Sequence, residues 1–452
     1  MAAGDFGGSE RRKTGYARSR RSRPLLTTMT LLKPMMSHRP IVIGWLTFLC
    51  AARLAWPLDP DRRISQYAHT TWRTQDGAFR GTPHAITQTT DGYLWIGTDA
   101  GLVRFDGIRF VPWEPPQRNG LTGLSIYSLR GGSDGSLWIG SATGLARWKD
   151  NALTEFSTGQ GRINAIVEDR LGGVWVTRSR PRDQTGGLCR ITGQSLQCSG
   201  NSKGVDLIYA GPLANDALGA LWMGTPTALV GWKSGVWTSY YRGQLTRFQG
   251  LSSVQALAAG DDGDLWVGFG KSGLGLQRLV GNQPQNVVLP GVNASNLHVS
   301  ALFIDRDKSL WIGTGDDGVY RFHGDRVDHF RAEDGLSSNA IETIFEDREG
   351  DIWLVTSKGV DYFRNSRVVT LSSREGLTAD GVMSVLAARD GTVWLGNREG
   401  LDFVRGGRLG SIRQQDGLPG TESRHSTKTT RTASGWVRTA YLQFMIVVIF
   451  SA

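Results

Sequence analysis

Close pairs of carboxylates are the first residues in this chain that could do chemistry. Asp261-Asp262 with Asp264, Asp305 with Asp307, and Asp316-Asp317 offer the two acids that a glycosidase sets on either side of a scissile bond. Each pair, however, lies beside a turn glycine or on the equivalent turn of a repeated unit, where Asx turns use such residues for local hydrogen bonding. None follows the calcium-loop order of alternating acids, a central glycine and a distal glutamate. His323 and His329 flank a hairpin turn with no third ligand legible, so no metal or other cofactor is expected. The glycine-rich stretches lack a P-loop lysine, and no nucleophile elbow of the Gly-x-Ser-x-Gly type stands out. Catalysis is not expected.

Aromatic residues suggest binding instead. Trp113 lies in Val111-Pro112-Trp113-Glu114-Pro115-Pro116, and Trp237, Tyr240 and Tyr241 cluster with Arg242. Aromatic faces combined with hydrogen-bonding groups on loops are what a sugar site uses. These five residues are the candidate ligand-binding set, although Trp232 and Trp237 also suit core positions on strands.

The elements that would position them follow one repeating unit. Thr90-Asp91-Gly92-Tyr93-Leu94-Trp95-Ile96-Gly97-Thr98 and then Gly101-Leu102-Val103-Arg104-Phe105-Asp106-Gly107 recurs around Trp138, Trp175, Trp222, Trp266, Trp311, Trp353 and Trp394, at spacings of 37 to 47 residues. Glycine precedes the tryptophan by three positions in every unit except the sixth, where Lys308 stands. A tandem period near 43 with turn glycines and one tryptophan per unit predicts an all-β fold, a β-propeller of four-stranded blades. The second strand of each unit is apolar on both sides, as expected for a sheet covered by neighbours on both faces. Each of the eight structural tryptophans would then remove roughly 150–250 Å² from water, worth at most ~4–6 kcal/mol. Tyr67-Ala68-His69-Thr70-Thr71-Trp72-Arg73-Thr74-Gln75-Asp76-Gly77 has no such unit and matches the ends of later ones. It predicts an outermost strand that joins the last blade and removes the open edge. The expected count is seven blades plus an orphan eighth repeat, the alternative being one eight-bladed ring.

Charge and cysteine content narrow the function. The chain's net +10 is concentrated at its ends: residues 1–63 hold twelve Lys/Arg against four Asp/Glu, residues 421–452 four against one, which leaves 64–420 at −1. A near-neutral body offers no electrostatic footprint for nucleic acid. Residues 1–40 read as a basic extension. Residues 41–55 hold a twelve-residue apolar run, Ile41 to Ala52, too short for a membrane span but suited to a secretory signal; an uncleaved anchor is the alternative. Cys189 and Cys198 flank Gly193-Gln194 symmetrically, so a two-residue turn there would face the two thiols across a hairpin and make a disulfide available. That pairing agrees with a periplasmic or extracellular location. Residues 421–452 read as a degenerate ninth repeat around Trp436, or a truncated tail.

Asp-x-Gly-x-Leu-Trp-Ile-Gly-Thr followed by Gly-Leu-x-Arg-Phe resembles the two-component regulator propeller repeat, and Trp72-Arg73-Thr74-Gln75-Asp76-Gly77 resembles the start of such sensor regions. The resemblance covers residues 65–420. It implies an extracytoplasmic input domain of a sensor histidine kinase or related phosphorelay protein, recognising saccharide breakdown products. Such propellers commonly have seven blades, often come in pairs, and continue into a β-sandwich, a transmembrane helix and a kinase. None of those later parts is recognisable here, so a sensor module without its own kinase output is expected. Its contacts would be a small-molecule or oligosaccharide ligand, a signalling partner protein and a second copy in a homodimer. A secreted glycoside hydrolase or polysaccharide lyase, or an interaction scaffold or truncated remnant, is the alternative.

Overall fold

The computed structural model describes residues 57–418 apart from residues 116–123, 157–160, 180–185, 200–206, 208, 246–253, 271–272, 282, 367 and 369, together with two short strands at Thr430–Thr432 and Gly435–Val437. The basic extension, the signal-like segment and most of the 421–452 tail lie outside the described residues.

Why each repeat makes a blade is visible in its turn. Glycine three residues before the tryptophan has positive φ in every case, from 78° at Gly172 to 92° at Gly92. This left-handed region is strained for side chains bearing a Cβ. Lys308, the exception, adopts φ 63° all the same. The turn therefore dictates the backbone, and lysine accepts it. In five of the eight units an acceptor for the indole stands six residues before the tryptophan. Trp175, Trp222, Trp311 and Trp353 donate Nε1–H to Asp169, Asp216, Asp305 and Asp347 at 2.7–2.9 Å. The other carboxylate oxygen accepts a backbone N–H from Gly173, Ala220, Ser309 or Asp351. In the first unit the Thr89 hydroxyl does the same for Trp95, at 2.8 Å.

Eight four-stranded antiparallel sheets result. Their innermost strands are Pro83–Gln88, Ile126–Gly131, Arg162–Glu168, Leu213–Asn215, Val254–Ala259, Val299–Ile304, Ile341–Glu346 and Ser384–Ala387, and we number the blades 1 to 8 in that order. Blade 7 takes its outermost strand from the start of the described chain. Ala68–Arg73 pairs antiparallel with Gly359–Arg364, Trp72 opposite Val360, which is the closure that the opening segment predicts. His69 locks it: Nε2 lies 2.9 Å from Asp361 Oδ1, and the imidazole stacks on Phe363.

Packing closes the ring on seven. The tryptophan of each blade packs against the next: Trp95 with Leu137 and Ile139, Trp138 with Ile163, Trp175 with Leu221, Trp222 with Val267, Trp266 with Ile312, Trp311 with Leu354, and Trp353 with Leu94 and Ile96 of blade 1. Innermost strands are neighbours in the same order, that of blade 7 lying against that of blade 1. Trp95, Trp138, Trp222, Trp311 and Trp353 are buried; Trp175, Trp266 and Trp394 are half-buried. The glycine two residues after the tryptophan makes the approach possible. A Cβ on Gly97, Gly140, Gly268 or Gly313 would stand 2.4–2.8 Å from Ile126, Ile163, Val299 or Ile341 of the following blade. Blade 8 takes no place in this cycle.

Candidate functional site

Six of the eight innermost strands carry a defect at the same place. Register slips by one residue between Pro83 and Ala85, Ile126 and Ser128, Ile163 and Ala165, Val254 and Ala256, Val299 and Ala301, and Ile341 and Thr343. A β-bulge of this kind leaves one residue unpaired and re-aims its side chain. The residues so released are His84, Tyr127, Asn164, Gln255, Ser300 and Glu342, each eleven positions before its tryptophan. Gly211 holds that position in blade 4. All seven line one cavity of about 360 Å³ together with Arg162, Tyr209 and Pro212. Because every blade of the ring contributes, this cavity is the mouth of the central channel. Its size suits a small ligand.

Within the mouth, His84 Nε2 lies 2.8 Å from Asp99 Oδ1, and the imidazole is 4.9 Å from the Tyr127 ring. Burial pushes the Asp99 carboxyl up, but the His84 hydrogen bond and charge, with Thr82, outweigh it and hold it below the ordinary aspartate range. Arg162 lies over Tyr127, its guanidinium carbon 3.7 Å from the ring centroid, a cation–π contact. Arg162 is exposed to solvent, and the partial desolvation of its guanidinium within the cavity lowers its pKa against the opposing pull of Tyr127 and Glu342. Asn164 donates Nδ2–H to the Ala210 carbonyl at 2.6 Å, and Ser300 donates its hydroxyl to the Ile341 carbonyl at 2.6 Å. These two therefore brace the mouth across blade boundaries.

The aromatic residues singled out from sequence do not share one opening. Trp113 packs edge-on against Trp95 and Trp148, 5.4 and 4.9 Å away, at the boundary of blades 1 and 2. Trp237 lies 6.3 Å from Trp232 and belongs to the cluster between blades 3 and 4, while Tyr240 turns to Trp222, 5.7 Å away. Tyr241 is buried, at φ 60°, with its ring 5.1 Å from Phe269 of blade 5; burial pushes its hydroxyl up to about 12. Arg242 beside it is exposed. Alternation along a strand sends successive side chains to opposite faces, so Trp237 and Tyr240 face different neighbours. Their ring faces are engaged by other rings, which is a packing role.

The carboxylate pairs are absorbed in the same way. Asp305 is the Trp311 acceptor described above. Asp262 accepts from the Asp264 backbone N–H at 3.1 Å, and both carboxylates pair with Arg278, which also lies over Trp266. Asp317 accepts from the Tyr320 hydroxyl at 2.5 Å, and its carbonyl lies 2.7 Å from His329 Nε2. His323 Nδ1 is 3.1 Å from the Ser309 hydroxyl. Gly131–Gly135 does spell Gly-x-Ser-x-Gly, but it is a hairpin turn between two strands, with Ser133 held by Glu168 of the next blade. Cys189 and Cys198 stand directly opposite in blade 3 and are joined by a disulfide. Among the described residues no group of three or more His, Cys, Asp or Glu could hold a metal ion.

Comparison with known proteins agrees with the architecture. Residues 293–316 and 335–358 match the family model described as Two component regulator propeller. A search of curated proteins by sequence gave no match. Among solved structures, the extracellular domain of the hybrid two component system BT3049 from B. thetaiotaomicron is similar at 18% identity and a TM-score of 0.58, over 76% of this chain and 49% of that one. The extracellular domain of BT4673 from the same organism follows at 19% identity and a TM-score of 0.53, over 77% and 47%. This chain thus spans about half the length of those domains. Catalytically inactive virginiamycin B lyase from Staphylococcus aureus with quinupristin is similar at 16% identity and a TM-score of 0.52, over 67% of this chain and 100% of that one. At these identities the likeness is one of fold. Two stretches of this chain, residues 293–316 and 335–358, thus match the two component regulator propeller model, and the chain shares its fold with the extracellular domains of hybrid two component systems.

Proposed function

We propose that this chain is an extracytoplasmic sensing module that binds a small molecule or oligosaccharide in the mouth of its central channel and passes that state to a partner signalling protein. The observation that carries this reading is the contrast between frame and ring. Tryptophan, turn and glycine recur from blade to blade, whereas the bulge position holds His, Tyr, Asn, Gly, Gln, Ser and Glu in turn. A position whose backbone is fixed and whose side chain varies is where recognition is written. An extracytoplasmic place is supported by the extracellular domains that share the fold and by the blade 3 disulfide, which suits an oxidising compartment. No helix among the described residues is long and apolar enough to cross a membrane.

Binding without turnover is the form this reading takes. Hydrolysis of a glycosidic bond needs two carboxyl groups facing one another, and Glu342 is the one carboxylate among the cavity-lining residues. The test is a binding screen of the full chain on small molecules and oligosaccharides, repeated with a His84→Ala/Gln255→Ala double variant. Retention that the double variant loses, at unchanged Tm, supports the proposal. Turnover of a polysaccharide by the purified protein, or binding indifferent to the double variant, contradicts it.

A further inference from the structure

We infer that the channel mouth takes a carboxylate-bearing ligand, anchored by the guanidinium of Arg162. The inference rests on the reading of the mouth as the ligand site and adds the chemistry of the occupant. The Arg162 guanidinium carbon lies over Tyr127, 3.7 Å from the ring centroid. Stacking engages the faces of a guanidinium but leaves its in-plane N–H donors for a planar, two-pronged acceptor. Arg162 is an exposed residue, and no hydrogen bond or ion pair to its guanidinium is formed among the described residues. Arg147, Arg278 and Arg405 also lie over aromatic rings and pair with carboxylates of their own turns, whereas Arg104 and Arg190 stack on Tyr93 and Trp175 without an ion pair among the described residues. Arg162 differs from those two in lining the channel mouth.

The natural counter-charge is held apart. Glu342, two blades beyond Tyr127 in the other direction round the ring, acts on Arg162 through its charge yet makes no ion pair with it, and lines the same cavity. Asp99, the other carboxylate nearby, is engaged by His84. Arginine and glutamate on one cavity wall, near enough to sense each other and not joined, leave space for a bridging molecule. Its carboxylate would sit in the Arg162 fork, and hydroxyl or ammonium donors at its far side would meet Glu342. A uronic acid residue and a free amino acid or dipeptide both carry that pattern. The uronate agrees with the oligosaccharide reading.

The experiment presents the full chain with matched neutral and uronate-bearing oligosaccharides and with a dipeptide set, using wild type, Arg162→Ala and Arg162→Lys. Retention confined to carboxylate-bearing probes, weakened about 10- to 100-fold by Arg162→Ala and only partly kept by Arg162→Lys, is expected. Whether uronates or dipeptides are retained identifies the source of the carboxylate. Retention of neutral oligosaccharides that Arg162→Ala leaves unchanged, but His84→Ala/Gln255→Ala abolishes, overturns this inference and leaves the binding-module reading standing. Retention of no probe by folded wild-type protein overturns both.

Discussion

Blades 7 and 8 are written in nearly the same words and live in different surroundings. Ile341–Glu346 and Ser384–Ala387 are both innermost strands, and Trp353 and Trp394 stand at matching positions beside them. Ile344 is 7% exposed, but its counterpart Val385 is 62% exposed. Trp353 stacks on Trp72 at 5.7 Å and meets Phe105 of blade 1, whereas Trp394 meets Phe403 of its own sheet. A Cβ on Gly396 would meet only Ser384 of that sheet, where the glycines of other blades face the next blade. The repeat thus encodes a blade, and the neighbours decide whether its apolar faces are buried. Closure by Ala68–Arg73 makes blade 7 the last member of the ring and leaves blade 8 beyond it.

The largest test of that contrast is paired truncation of the two tryptophans. Trp353→Ala empties a fully enclosed site shared by two blades and should cost about 3–5 kcal/mol. Trp394→Ala removes a half-buried ring from a sheet outside the ring of blades, with an expected cost of about 1–2 kcal/mol. Equal losses in urea or thermal melts would place blade 8 inside the closed structure. A smaller contrast is expected at the turn glycines. Gly350 and Gly391 share φ near 80°, so alanine at either position incurs about 1 kcal/mol of backbone strain. At Gly350 the new Cβ would also stand 2.5 Å from Pro57, while at Gly391 it meets nothing within 4 Å. Gly350→Ala should therefore lower Tm more than Gly391→Ala.

The smallest effect is electrostatic. Burial pushes the Asp347 carboxyl up to about 6, despite hydrogen bonds from Trp353 and Asp351, and pushes Glu346 to about 7 against the attraction of Arg306. A carboxyl whose folded pKa is raised favours the native state when protonated. Its stabilising contribution is complete below the unfolded value and is lost as pH rises through 6 to 7. Asp347→Asn keeps an oxygen for the Trp353 indole and removes the charge, but turns an NH2 toward the Asp351 N–H, a loss that does not vary with pH. Relative to wild type it should gain Tm between pH 5 and 7.5. Blade 8 has Ala388 at the equivalent place, so no matching pH effect can come from that position.

Much of this was legible in the residues. Period, turn glycines and the unpaired opening strand gave the blades and their closure, because each is a local backbone demand repeated along one chain. The indole acceptors were not read from the sequence: Asp305 was seen as a turn residue without its hold on Trp311, and Asp169, Asp216 and Asp347, which hold Trp175, Trp222 and Trp353, were not singled out. The channel mouth is not legible in any single repeat. Its signal lies eleven residues before each tryptophan, where a residue such as His84, Gln255 or Glu342 interrupts an apolar strand. Reading one repeat makes that residue look like noise, and only aligning the repeats shows a ring. Trp113, Trp237 and Tyr240 drew notice because aromatic residues are conspicuous, yet here aromatic surface was spent on joining blades.

Hydrogen exchange on the full chain tests the seven-membered ring most directly, since amide protection reports local opening free energy. The account requires strong, similar protection of Ala68–Arg73 and Ile341–Glu346, exchanging only with global unfolding, and exchange in Ser384–Ala387 faster by orders of magnitude. Equal protection of Ser384–Ala387 and Ile341–Glu346, or early exchange of Ala68–Arg73, would contradict it.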